Sequence, residues 1–170
     1  ADGIAIAGGT AGIGTDDYTA ATTTLTFAAG QTFQLVTVTT INDPVYEGTE
    51  TFTVNLSGAV NATISDNQGI GTIIDTEVAP ALSISDATVT EGNTAIFTVS
   101  LNNASQTAIT VDLATADGTA IAGGTAGIGT DDYTAVTTTL TFAAGQTFQL
   151  VTVTTINDPV YEGTETFAVN

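Results

Sequence analysis

An internal repeat is the feature that most constrains the fold of this chain. Residues 1–55 match residues 116–170 with three substitutions, at an offset of 115 residues. This period is too long for a solenoid repeat and suits a β-sandwich domain of roughly 100 residues. We interpret the chain as about one and a half copies of a tandem domain, a window from a longer array. Residues 1–77 complete one copy, residues 78–80 form a linker, and residues 81–170 begin the next copy.

The segments between glycine-rich turns alternate apolar and polar residues, as half-buried strands do. "TAIFTVSL" places Phe97, Val99 and Leu101 on one face, and "TAITVDLAT" (107–115) alternates in the same way. No long segment has the 3.6-residue period of a helix. With turns every 8–12 residues or so, the pattern predicts an all-β chain, an Ig-like antiparallel β-sandwich of about seven strands.

One predicted strand, "TFQLVTVTT" (147–155), carries apolar residues on both faces. Val151 and Val153 share one face, while Phe148 and Leu150 share the other. A β-bulge would turn both pairs inward. Alternatively, Phe148 and Leu150 are exposed and contact a neighbouring domain or chain.

The charge balance excludes several classes of function. The chain has 18 acidic residues, no lysine, arginine or histidine, and a formal charge of −18. Binding of nucleic acid or of an anionic membrane surface needs basic side chains, so we expect neither. Only Asp, Glu and Tyr remain for acid–base chemistry, so we expect no enzyme. Disorder is also disfavoured, because 42% of the residues are hydrophobic.

The acidic residues cluster in a few loops. "INDPVYEGTE" supplies Asp158, Glu162 and Glu165, and antiparallel topology places other acidic segments at the same pole. Two carboxylates about 4 Å apart repel by roughly 4 kcal/mol at an effective dielectric near 20. No basic side chain can relieve this repulsion, which leaves wide separation, raised pKa values or a bound cation. Of these we expect a bound cation, and an oxygen-only ligand set selects a hard ion such as Ca²⁺. We interpret Asp131 and Asp132, in "GTDDY", as turn residues.

Four stretches carry a resemblance to a known family. "SISDATVTEGNTAIFTVSL", "VDLATADGTAIAGG…DDYTA", "LTFAAGQTFQLVTVTTINDPVYEGTETFAVN" and "GIGTIIDTE" together resemble the Calx-β domain. That family includes the calcium-binding regulatory domains of sodium–calcium exchangers and tandem modules of bacterial surface proteins. The resemblance covers essentially the whole chain and implies a calcium-binding β-sandwich.

The resemblance also implies metal ligands. In the second copy they are Glu91, Asp117, Asp158, the Val160 carbonyl, Glu162 and Glu165. In the first copy they are Asp2, Asp43, Val45, Glu47, Glu50, Asp75 and Glu77. The exchanger-type loop has three successive aspartates where this chain has Asn157, Asp158 and Pro159. Fewer charges imply fewer or weaker ions.

Together these features predict a calcium-stiffened structural or adhesive module, secreted or at the cell surface. Its expected partners are neighbouring identical repeats or chains in a filament. The alternative is a calcium-sensing regulatory domain. Near-identical copies favour the structural role over the sensor. Ice binding by rows of threonine is disfavoured, because threonine is simply a good strand former.

Overall fold

A computed structural model describes residues 3–8, 16–123 and 131–170. The described residues form strands and no helix, as the alternating pattern predicts. The strands are β1 (Gly3–Ile4), β2 (Ala7–Gly8), β3 (Tyr18–Thr19), β4 (Val45–Tyr46), β5 (Glu50–Asn55), β6 (Gln68–Ile73), β7 (Leu82–Ile84), β8 (Thr94–Leu101), β9 (Ala104–Ser105), β10 (Ile109–Asp117), β11 (Thr137–Phe142), β12 (Phe148–Thr154) and β13 (Phe167–Val169).

The chain divides into two compact units, each described here by itself. Unit 1 comprises Ala1–Ala79 with Asn103–Gln106, and unit 2 comprises Pro80–Asn102 with Thr107–Asn170. The repeat boundaries expected from the sequence stay a prediction.

Unit 2 contains two three-stranded antiparallel sheets, in the orders β11-β10-β13 and β12-β8-β7. One face of each sheet contributes to a shared core, an arrangement consistent with a β-sandwich. The alternation in β8 produces this directly, since every second residue from Ala95 to Leu101 is buried. The buried core residues are Ala95, Phe97, Val99, Leu101, Leu113, Ala120, Tyr133, Phe142, Val151 and Val153.

Strand β12 settles which of its two apolar pairs is buried. It pairs with β8 in an uninterrupted register from Phe148 to Thr154, without a bulge. Val151 and Val153 are buried, whereas Phe148 and Leu150 are each more than half exposed. The bulge interpretation is therefore wrong, and Phe148 and Leu150 lie on the outer face of the sheet.

Unit 1 has one three-stranded sheet, in the order β1-β5-β6, and two short parallel pairs, β2-β3 and β4-β9. Tyr18 stacks on Phe52 with ring centroids 4.6 Å apart, as the equivalent Tyr133 stacks on Phe167 in unit 2. Residues 20–39, although almost identical to a part of unit 2 that includes β11 and β12, contain no strand.

Candidate metal centres

Each unit brings three carboxylates together at equivalent positions. Asp17, Glu47 and Glu50 form the first cluster, and each offers an oxygen within 4.8 Å of the others. Asp132, Glu162 and Glu165 meet the same criterion in unit 2. Each member of the second set lies 115 residues after its equivalent in the first, so the repeat encodes the same centre twice.

The aspartate of each cluster is held by a reciprocal pair of hydrogen bonds. The Ile6 amide donates to Asp17 Oδ2 at 2.5 Å, and the Asp17 amide donates to the Ile6 carbonyl at 2.8 Å. In unit 2 the Ile121 amide donates to Asp132 Oδ2 at 2.7 Å, and the Asp132 amide returns a bond to the Ile121 carbonyl at 2.9 Å. One carboxylate oxygen is thus anchored to the backbone in each copy.

The two glutamates of each cluster come from a tight loop before a strand. Glu50 is the first residue of β5, and Glu47 lies in the loop just before it. Gly48 lies between them with a φ of 81°, and the equivalent Gly163 has a φ of 88°. This left-handed conformation favours glycine, which lets the chain reverse and place both glutamates beside the aspartate.

Crowding and burial change the acidity of the unit 1 glutamates. Burial, followed by repulsion from and hydrogen bonding to Asp17, raises the pKa of Glu47 to about 8. Burial and the hydrogen bond to Asp17 likewise raise the pKa of Glu50 to about 7. Among the described residues, no group bonds to Glu50 Oε2, although this oxygen is buried. An unpartnered buried carboxylate oxygen is costly, which makes it a position where a cation would be stabilising.

Asp75, two residues after the end of β6, lines the same cavity as the unit 1 cluster. Its Oδ2 accepts bonds from the amides of Glu47 at 2.7 Å and Gly48 at 2.9 Å, and its Oδ1 accepts the Glu77 amide at 3.1 Å. Burial alone would raise the pKa of Asp75, but the backbone bonds from Gly48 and Glu47 outweigh burial and lower it. Asp75 therefore stays ionised beside Glu47 and Glu50, whose pKa values are raised.

A cavity of about 30 Å³ lies among these groups. About 10–15 Å³ of such volume holds one water-sized sphere, so the cavity has room for an ion and a water molecule. Its acidic lining residues are Asp17, Asp43, Glu47, Glu50, Asp75 and Glu77. These groups offer only oxygen ligands and include an orphaned buried carboxylate oxygen, so the donor set fits a hard cation such as Ca²⁺.

The unit 2 cluster consists of the equivalent residues but is more exposed to solvent, since all three members are only half-buried. Burial, then repulsion from Asp158 and Asp132, raises the pKa of Glu162. Burial, then Asp132, raises the pKa of Glu165, and Glu91 contributes a smaller repulsion. The two clusters therefore share a composition and differ in how far they are removed from water.

Several residues that the resemblance implied as ligands lie near these clusters. Asp43, Asp75 and Glu77 line the unit 1 cavity. Asp43 Oδ1 accepts the amide of the buried Val45 at 2.9 Å, and Asp158 Oδ1 accepts the Val160 amide at 2.8 Å. These two aspartates order the acidic loop. Glu91 acts on Glu165 electrostatically, and Asp2 lies outside the described residues.

The structure does not bring Asp117 into the unit 2 cluster. Its Oδ1 accepts the Tyr133 hydroxyl at 2.7 Å and the Ala122 amide at 2.9 Å. The Tyr133 hydroxyl, followed by the Ala122 amide, lowers the pKa of Asp117. Asp117 thus satisfies a buried tyrosine hydroxyl and a loop amide.

Asp17 and Asp132 are the cluster members that reasoning from the sequence missed. The pattern "GTDDY" predicts a turn, because short glycine and aspartate runs are typical of turns. The signal that could have identified the two residues is the aspartate directly before a tyrosine in both copies. Tyr133 is buried, which places its neighbour Asp132 at the edge of the core beside the acidic loop.

One protein-family model matches the chain twice. The model of the Calx-beta domain matches residues 3–87 and residues 74–170. The chain belongs to the Calx-beta family. Calx-beta domains are associated with calcium binding, are non-catalytic β-sandwich modules, and occur in extracellular or membrane-associated proteins. No curated protein matches the chain. None of the described residues forms an apolar helix of membrane-spanning length.

Proposed function

We propose that this Calx-beta chain is a calcium-stiffened structural or adhesive module of an extracellular fibre or long surface protein, with identical repeats as its neighbours. The observation that carries the proposal is the Asp17, Glu47 and Glu50 cluster. Asp17 and Glu50 are buried and Glu47 is half-buried in a chain without any basic side chain, and Glu50 Oε2 has no partner among the described residues. Without a cation the cluster is neutralised by protons, as the raised pKa values of Glu47 and Glu50 indicate, and a bound cation would replace them.

The residues of each cluster would hold the ion. In unit 1 these are Asp17, Glu47 and Glu50, with Asp43 and Asp75 beside them. In unit 2 they are Asp132, Glu162 and Glu165. Calcium accepts about 6–8 oxygen ligands, so carboxylates, carbonyls and water share the coordination. The bound ion supplies positive charge that replaces the repulsion among the carboxylates with attraction.

Support for a stiffening role comes from the positions of the ligands along the chain. Glu47 and Glu50 precede β5, Asp75 follows β6, and Asp17 precedes β3. These segments are far apart in the sequence. An ion held by all of them would tie the acidic loop to the end of β6, so the unit would resist extension only while calcium is bound. Near-identical copies suit an array of equivalent modules better than a sensor.

Calorimetric calcium titration of the full chain tests the metal site. Glu50→Gln removes one charge from the cluster, and we expect calcium affinity at one site to fall at least about tenfold, or about 1.4 kcal/mol. Asp66→Asn is the matched control. Asp66 lies in the same unit, outside the cluster, and bonds only to the Gln68 amide in the described contacts. Equal affinities for the two variants would contradict the assignment.

Electron microscopy of the assembled material, before and after chelation, tests the structural role. Straight fibres in calcium that become flexible or dissociate in EDTA are the expected result. Fibres unchanged by chelation would exclude calcium stiffening, even if titration confirms the metal site. Calcium-dependent capture of a different protein by a monomeric chain would instead favour the sensor.

A further inference from the structure

Unit 1 includes a short segment, Asn103–Gln106, that is distant in the sequence from the rest of the unit. Within it, β9 pairs in parallel with β4, so that Val45 lies opposite Ala104 and Tyr46 lies opposite Ser105. Val45 and Ser105 are both buried. The segment therefore packs against the acidic loop that carries the cluster glutamates.

Hydrogen bonds fix this segment at both ends. At one end, Asn103 Nδ2 donates to the Val78 carbonyl at 2.8 Å. At the other end, the Gln106 amide donates to the Tyr46 carbonyl at 3.0 Å. Val78 directly follows one acidic residue of the cavity lining, and Tyr46 directly precedes another. Residues 103–106 thus hold two separate stretches of chain on which acids of the metal centre lie.

The side chain of Gln106 reaches the cluster itself. Its Nε2 donates to Glu47 Oε1 at 3.2 Å, although the two residues are 59 positions apart. Glu47 also shares a side-chain hydrogen bond with Asp17 inside the cluster. The bond from Gln106 restricts the rotation of the Glu47 carboxyl group. Hydrogen bonds of this kind set the orientation of metal ligands.

The chemistry of Gln106 suits this role, because its amide donates a hydrogen bond and carries no net charge. A lysine or arginine at this position would pair with Glu47 and compete with a cation. The chain contains neither residue type. Gln106 therefore orients Glu47 and leaves its negative charge available to an ion.

We propose that Gln106 is a positioning residue of the unit 1 metal centre. It orients Glu47 for the cation, and the bound cation in turn holds residues 103–106 against the acidic loop. The inference rests on the proposed calcium site. The two effects are reciprocal, so a docked segment that raises calcium affinity tenfold is itself held tenfold more strongly when calcium is bound.

Calcium titration of the full chain, followed by NMR, measures the two sites separately. The Gly48 amide donates to Asp75 and reports on unit 1, and the equivalent Gly163 reports on unit 2. Gln106→Leu removes the donor and keeps a side chain of similar size. The calcium dissociation constant should rise at least about tenfold at Gly48. It should change less than about twofold at Gly163.

The outcomes separate this inference from the proposed function. Equal affinity at Gly48 in the parent chain and in Q106L would overturn the inference alone. A comparable loss at both glycines would also overturn it, because it would show a general loss of folded structure. A parent chain in which calcium shifts neither glycine would overturn the proposed function, and the inference with it.

Gln68→Leu is the matched control. Gln68 belongs to the same unit, its Nε2 donates to Asn55 Oδ1 at 3.0 Å, and it does not line the cavity. Q68L should leave calcium affinity within about twofold of the parent value. A loss in Q68L as large as that in Q106L would overturn the proposal, because loss of an unrelated amide hydrogen bond would then weaken the site equally.

Amide hydrogen exchange distinguishes positioning from a purely structural role. In the parent chain and in Q68L, calcium should slow exchange of the Gln106 amide about tenfold, because opening of β9 breaks the bond to Glu47. In Q106L the amide at position 106 is still able to donate to Tyr46, yet calcium should slow its exchange less than about twofold. Equal slowing in all three chains would overturn the proposal, because calcium would then hold the segment without the glutamine side chain.

Discussion

Residues 16–55 and 131–170 are almost the same sequence, yet they differ in both their core and their carboxylate cluster. In unit 2, Phe142, Val151 and Val153 are buried against β8 and β10, while the acidic cluster is half-open. In unit 1 Asp17 and Glu50 of the acidic cluster are buried, with Asp75 after β6 lining the same cavity, while Phe27 is exposed. In unit 2 the apolar residues of β11 and β12 are covered by partner strands, and in unit 1 the acidic cluster lies beside the end of β6.

This difference shows that the burial of a residue depends on which segments pack beside it. The residue type alone does not decide it. A phenylalanine at the end of "TTTLTF" is a core residue only where β10 lies beside it. The glutamate at the start of "ETF" is buried in unit 1, where Asp75 after β6 lines the same cavity, and is only half-buried in unit 2. Four predictions test this comparison, from the largest expected effect to the smallest.

The difference in burial between Phe142 and Phe27 predicts the largest effect. Phe142→Ala should lower the free energy of unfolding of unit 2 by about 3–5 kcal/mol, because it leaves a cavity in a packed core. Phe27→Ala, the same substitution at the equivalent position, should change stability by no more than about 0.5 kcal/mol. Urea denaturation of both variants measures the two values. Similar losses would show that residues 22–27 are packed in solution.

Calcium should stabilise the chain substantially. At a calcium concentration 100-fold above the dissociation constant, a site contributes about 2.7 kcal/mol. For a domain of about 60–100 residues, each kcal/mol of added stability raises Tm by about 4–8 °C, so we expect Tm to rise by at least about 10 °C. Differential scanning calorimetry in calcium and in EDTA measures the shift.

The comparison between the units sharpens this result. Glu50→Gln should abolish the larger part of the calcium-dependent shift, because the unit 1 cluster is more buried and has Asp75 beside it. Glu165→Gln, at the equivalent position, should remove a smaller part. Identical melting curves in calcium and EDTA would exclude the metal site altogether.

Without calcium, the chain should be more stable in mild acid than in mild alkali. Glu47 and Glu50 have pKa values of about 8 and 7 in the folded chain, against an ordinary value of 4.5. Between these limits the folded state holds protons that the unfolded state has released. The free energy of unfolding therefore falls as pH rises from about 4.5 to 8.

Glu50→Gln isolates this effect. It should raise the stability of the calcium-free chain at pH 8 by about 1–3 kcal/mol, because glutamine mimics the protonated acid. Glu165→Gln should have a smaller effect, because Glu165 is less buried. Urea titrations from pH 5 to 8 in EDTA measure both. Stability that rises with pH in the calcium-free parent chain would contradict the prediction.

The smallest effect concerns the bond between Tyr133 and Asp117. Tyr133→Phe should cost about 1 kcal/mol, because it removes one hydrogen bond and leaves an exposed carboxylate to water. The pKa of Asp117 should rise, since the Tyr133 hydroxyl is the main cause of its depression. Carboxyl chemical shifts measured against pH report this change. Tyr161→Phe, at an exposed position, is the control and should leave both quantities unchanged.

Local patterns in the sequence determined much about this protein by themselves. Alternation in "TAIFTVSL" indicated a strand with a buried face, because side chains in a strand alternate by geometry alone. The acidic loop from Asp158 to Glu165, with its equivalent in the first copy, indicated the region where the carboxylates cluster, because it carries three acidic residues within eight positions. The resemblance to the Calx-beta family rested on the same local stretches, and the family match confirmed it.

Only the tertiary structure decided which residues meet. The sequence did not distinguish Asp117 from Asp132 as the partner of Glu162 and Glu165, because both lie in short segments of glycine, threonine and aspartate. Only the fold shows that Asp117 accepts a hydrogen bond from Tyr133. The direction of Phe148 and Leu150 also depended on an unbroken register with β8. The contrast between Phe27 and Phe142 is the clearest case. Identical side chains have opposite exposure, because burial depends on strands that are distant in the sequence.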